Sequence, residues 1–74
     1  MTDEERHVVK HALGLDNSEY PYRNSYAASV GTVQEEMCRR MAEAGHLILR
    51  SETPQISYFI ASDEAIREVW GGRR

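Results

Sequence analysis

Cysteine occurs once, at Cys38, so the chain can form no disulfide within itself. No run approaches the roughly 20 apolar residues that cross a bilayer. The opening stretch, MTDEERHVV, is acidic and polar where a secretory leader is basic and apolar, so a cytoplasmic protein is expected. Internal repeats and low-complexity tracts are missing. So are a phosphate-binding glycine loop, an evident pair of catalytic carboxylates, and a nucleophile with a base at a telling spacing. No enzymatic activity, cofactor or metal is therefore expected. Positive charge is also in short supply: 9 Lys and Arg stand against 12 Asp and Glu, a net charge of −3. Arg73 and Arg74 follow a glycine pair as a basic tail (73–74), which leaves −5 on the body, residues 1–72. Phosphate neutralisation supplies much of the affinity of a nucleic-acid binder, which accordingly shows a basic face. An acidic body favours a protein partner instead.

What is present is enough for one domain. At 74 residues the chain lies near the lower limit for a self-sufficient core, where a partner or a second copy adds stability. Thr2-Asp-Glu-Glu5 has the form of a capping box and predicts a helix over 3–13. Val8, Val9, Ala12 and Leu13 form its apolar stripe and Gly14 its stop. Residues 15–31 are the least regular, with Pro21 favouring extended geometry at Tyr20. A short helical turn over Asn24–Val30 is predicted, with Tyr26 and Val30 facing inward. Thr32-Val-Gln-Glu35 reads as a second capping box opening a helix to Ala44, with Val33, Met37, Met41 and Ala44 as its stripe and Cys38 and Ala42 beside it. Gln34, Glu35, Glu36, Arg39, Arg40 and Glu43 are placed outside. Two acid-first pairs, Glu35–Arg39 and Glu36–Arg40, support that helix.

After Gly45, residues 46–50 and 56–61 alternate as a two-stranded hairpin joined by 51–55. Both of its faces carry apolar side chains, so a helix or a partner is expected to cover the second. Ser62 then caps a last helix whose stripe is Ala65, Ile66, Val69 and Trp70. The expected class is thus α+β: a helix, a loop with a short helix, a helix, a two-stranded hairpin and a C-terminal helix.

Within this order MAEAGHLILR (41–50) and ISYFIASDEA (56–65) resemble the second half of winged-helix proteins of the multidrug-regulator type. Ser62 and Ala65 depart from the usual threonine and glycine of that pattern. The resemblance implies a small winged-helix-like domain. HALGLD (11–16) and YRNSY (22–26), with the Ala-Gly helix end and hairpin, are similar to small phage and prophage proteins of unassigned function, which implies a mobile-element origin and a host-cell setting. Asp3, Glu4, Glu5, Glu35, Glu36, Glu52, Asp63 and Glu64 would make an acidic surface of the kind by which small phage inhibitors of host defence, anti-CRISPR proteins among them, imitate nucleic acid. The helix dipole by itself accounts for all of these acids but Glu52.

The residues weigh two uses for that scaffold. As a DNA-binding regulator it would present Gln34, Arg39 and Arg40 on the helix over 32–44 and Arg50 on the wing. Glu35, Glu36 and Glu52 lie where phosphates would approach. As a protein-binding module it would use Tyr20, Tyr22, Arg23 and Asn24 in the loop, because tyrosine and arginine dominate binding hot spots, together with Ile48 and Phe59 on the hairpin. Homodimerisation through Ile48, Phe59 or Trp70 suits either use. His7 and His11 have a spacing that can place two imidazoles on one metal, but no zinc motif accompanies them and they read as surface histidines. Cys38 reads as a buried structural thiol. The expected function is a non-catalytic interaction module that binds a host or phage protein as an inhibitor; the alternative is a small DNA-binding regulator.

Overall fold

The computed structural model describes residues 1–71, so the basic tail at 73–74 lies outside the described residues. The elements run α1 (Asp3–Leu13), β1 (Tyr26–Ser29), α2 (Val33–Glu43), β2 (Leu47–Glu52), β3 (Ile56–Ala61) and α3 (Asp63–Val69). The strands form an antiparallel sheet in the order β1-β3-β2, so the fold class is α+β with β3 at the centre.

Helix α1 forms as its sequence predicts. The Thr2 hydroxyl accepts from the Glu5 N–H at 3.2 Å, and Glu5 Oε1 accepts from the Thr2 N–H at 2.8 Å, completing the capping box. Gly14 ends the helix with φ 82°, a left-handed conformation that a side chain disfavours, and the Tyr22 ring fills the space beside it. Ser62 caps α3 by accepting from the Ala65 N–H at 3.2 Å. Its hydroxyl also donates to the Gly45 carbonyl at 2.7 Å, which ties this cap to the turn between α2 and β2.

The predicted helical turn over 24–30 is instead strand β1. Tyr26, Ala27, Ala28 and Ser29 pair with Phe59, Tyr58, Ser57 and Ile56, which makes the sheet three-stranded where a two-stranded hairpin was expected. An i, i+4 spacing over so short a run fits both periods, and the non-local edge of β3 decides between them. Asn24 locks the arrangement. Its amide accepts from the Ala61 N–H at 2.7 Å and donates to the Ala61 carbonyl at 3.1 Å.

The sheet has one covered face. Ala28, Leu47, Phe59 and Ala61 lie on it in a core with Val8, Val9 and Leu13 of α1, Cys38 and Met41 of α2, and Ala65 of α3. Phe59 is 0% exposed, so it is a core residue and not the contact residue expected from the sequence. The stripe of α2 is also rotated from its prediction. Val33 is 71% exposed and Ala44 is exposed, while Glu35, Cys38 and Met41 face inward. Trp70 is half-buried at the end of α3.

Replacing Asn24 by alanine would leave both backbone groups of the buried Ala61 without partners. Asn24→Ala is expected to cost about 1–3 kcal/mol, read as a lower urea midpoint. Asn24→Asp, which keeps the acceptor, is expected to lose less.

Candidate protein-contact surface

The loop residues singled out from the sequence divide between structure and surface. Arg23 donates from Nε and Nη2 to the His11 carbonyl at 3.2 and 2.7 Å, satisfying the last turn of α1. Its guanidinium also lies 5.4 Å from the Tyr22 ring centroid. Tyr22 is exposed, but its hydroxyl donates to Asn17 Oδ1 at 2.9 Å and its ring covers Gly14. Asn24 is the clamp on Ala61. Tyr20 stands edge-on to Trp70 at 6.3 Å, and the indole N–H donates to the Glu19 carbonyl at 3.3 Å. Arg23 and Asn24 therefore hold the loop in place, a task that leaves them little freedom to meet a partner. His11 is engaged too. Its Nδ1 lies 2.7 Å from Asp16 Oδ2, and this hydrogen bond is the main reason the Asp16 carboxyl sits below the ordinary carboxylate range.

The outer face of the sheet is different. Ile48 pairs directly with Ile60, and Tyr58 lies between Ile56 and Ile60 on the same face of β3. None of these four side chains belongs to the core cluster. Ile48 is 51% exposed, and the three side chains on β3 are half-buried by their neighbours. The pairing slips between Leu49 and Ser51, a bulge that sets Arg50 and Ser51 against Tyr58. Arg50 has no ion-pair partner among the described residues. The result is an open stripe of Ile48, Ile56, Tyr58 and Ile60 with an arginine beside its tyrosine.

The residues expected to read DNA are mostly committed elsewhere. Arg39 donates from Nε to Glu35 Oε2 at 3.0 Å, and from Nη2 to Glu52 Oε1 at 2.9 Å and to Ser57 Oγ at 3.2 Å. Arg40 pairs with Glu36 at 3.4 Å. Gln34 is exposed, but it shares a groove with Asp3 and Glu4. Glu35 is not the outward-facing half of a capping box. Its Oε1 accepts from the Gly31 N–H at 3.1 Å, while Oε2 accepts from the Ser57 hydroxyl at 2.9 Å and from Arg39. Only the Thr32 hydroxyl plays its predicted part, accepting from the Glu35 N–H at 3.2 Å. The Gly31, Arg39 and Ser57 donors together hold the Glu35 carboxyl below its ordinary value. Burial pushes the Cys38 thiol up to about 11, so at neutral pH it is a protonated, unreactive group.

Ile48 is among the expected contact residues, whereas the alternation of β3 alone does not say whether Ile56, Tyr58 and Ile60 or the set with Phe59 is buried. The usable signal was the company of Phe59. Ser57 and Ala61 flank it with small side chains, as a strand packed under helices requires, which turns the larger set outward. No helix among the described residues is long and apolar enough to cross a membrane. The chain is thus a small α+β protein with one helix-covered and one open sheet face. Comparison with protein-family models, curated proteins and solved structures finds no match to any of them.

The Glu35 cluster has a pH signature. Its folded-state carboxyl titrates below the ordinary 4.5 of the unfolded chain. The unfolded state therefore binds the proton first as pH falls. This contribution is complete above 4.5 and is lost as pH drops through the folded-state value. Glu35→Gln is expected to lower the urea midpoint at pH 7, and its deficit against the wild type should shrink towards acid pH.

Proposed function

We propose that this protein is a non-catalytic interaction module that binds another protein through the outer face of its sheet. The observation that carries the reading is the row of Ile48, Ile56, Tyr58 and Ile60 on a face outside the core cluster. An antiparallel sheet with one solvated face is normally polar there, and an apolar stripe left open costs solubility unless a partner covers it. Arg50 beside Tyr58 adds the residue types most frequent at binding hot spots. The partner is a host or phage protein, and in a chain that resembles small phage proteins the reading extends to inhibition of a host defence complex.

The DNA-binding alternative draws on the order α2, Gly45, hairpin and α3, which keeps the likeness to a winged helix. Less supports it. A helix-turn-helix needs a helix just ahead of the recognition helix, and here β1 fills that place. The start of α2 has Asp3, Glu4 and Gln34 around one groove, with the exposed Glu36 close by. Carboxylates there would repel the phosphate backbone, and Arg39 is neutralised by Glu35 and Glu52.

Affinity capture with the wild-type chain is expected to recover one discrete protein in stoichiometric amount. Ile48→Asp, at a position exposed enough to keep the fold, should reduce that capture at least about tenfold, the loss of one well-packed apolar contact. Tyr58→Ser should act in the same direction. Duplex DNA should show no binding at about 50 mM salt, where phosphate contacts are strong. Salt-sensitive duplex binding abolished by Arg39→Ala with Arg40→Ala would reverse the order of the two readings.

A further inference from the structure

A second surface lies away from the sheet's outer face. The N-terminal halves of α1 and α2 leave between them a groove of about 340 Å³. Val8, Tyr26 and Met37 form its apolar floor, and the exposed Asp3, Glu4, His7 and Gln34 stand at its rim. Val33, one turn before Met37 on α2, is 71% exposed and carries the apolar surface onward.

The two carboxylates at this rim are not held in ion pairs. Glu5 closes the helix cap, but neither Asp3 nor Glu4 has an ion-pair partner among the described residues. Arg6, the nearest arginine in sequence, is directed to Glu68 of α3 at 3.9 Å. The helix dipole explains why acids are tolerated in the first turn of α1. It does not explain an apolar trough beside them, lined by a methionine from a different helix. An acidic rim over an apolar floor complements a chain segment with alternating basic and apolar side chains. Nucleic acid is excluded by the sign of the charge, and a second copy of this acidic chain is disfavoured on the same ground.

We infer that the groove between α1 and α2 takes a basic amphipathic segment of a partner protein, with an apolar side chain against Val8, Tyr26 and Met37 and a lysine or arginine against Asp3 and Glu4. The site is independent of the sheet's outer face, so the chain would hold two protein surfaces at once.

Two synthetic peptides test this by titration into the isotope-labelled protein at physiological salt. One carries leucine and lysine at amphipathic helical spacing, and the other has glutamate at every lysine position. The lysine peptide is expected to shift the amide resonances of Val8, Tyr26 and Met37 saturably, while the glutamate peptide leaves them unmoved. Asp3→Lys with Glu4→Lys, both at exposed positions, should reverse that preference, and Met37→Ser should weaken lysine-peptide binding about tenfold. Ile48→Asp should leave it unchanged, which separates this site from the sheet face. The inference fails if no resonance shifts, if the saturable shifts map elsewhere, or if the charge-reversed variant keeps the wild-type preference.

Discussion

Glu35 is the point at which the sheet and the second helix are joined. Its carboxylate takes the Gly31 N–H from the turn after β1 and the Ser57 hydroxyl from the central strand. It also takes Arg39 from the next turn of its own helix, and Arg39 reaches on to Glu52 of β2. One nearly buried charge thus fixes four elements relative to each other. The arrangement is tolerable because every acceptor is matched by a donor and the charge is paired, which offsets the cost of removing it from water. It also sets the rotation of α2. With Glu35 turned inward, Cys38 and Met41 follow one and two turns on, and Val33 is carried out to solvent.

That rotation determines what the molecule can offer to others. The core holds residues of all three helices and of the sheet face that Phe59 occupies. No helix among the described residues packs the opposite face into the core, and its isoleucines and tyrosine stay outside the core cluster. At the other side of α2, the same turn opens a groove against α1, where an acidic rim meets an apolar floor. Both are the surfaces we propose for polypeptide partners. Of the arginines that a nucleic-acid reading requires, Arg39 and Arg40 are absorbed by Glu35, Glu36 and Glu52 within the fold, and Arg50 alone stays unpaired among the described residues, beside Tyr58.

The loop between α1 and β1 achieves its order by hydrogen bonds to backbone. Arg23 closes the end of α1, Asn24 brackets Ala61, and Tyr22 covers Gly14. A stretch rich in tyrosine, arginine and asparagine invites a reading as a binding site. Here those same side chains satisfy polar groups that a small domain cannot leave buried and unpaired.

The local signals were legible without any tertiary information. The Thr2 capping box, the left-handed Gly14, the Ser62 cap, the α2 boundaries and the alternation of β3 all depend on residues within one or two turns of each other, and the chain carries them in plain order. What depended on distant partners was not legible. Tyr26 to Ser29 became a strand because the edge of β3, about thirty positions further along, was there to be paired. Glu35 turned inward because Ser57 and Gly31 met it there. Phe59 and Tyr58, adjacent and both aromatic, lie on opposite faces by the period of the strand, but which of the two is buried was decided when the helices packed on the side with small neighbours. Sequence alone determined the three capped helices, their ends and the presence of the hairpin, since those rest on short-range hydrogen bonding and side-chain period, while β2 runs on through Ser51 and Glu52, which were expected in the turn. The tertiary structure decided the third strand, the rotation of α2 and the face left open, since each is a competition between long-range contacts that no local pattern records.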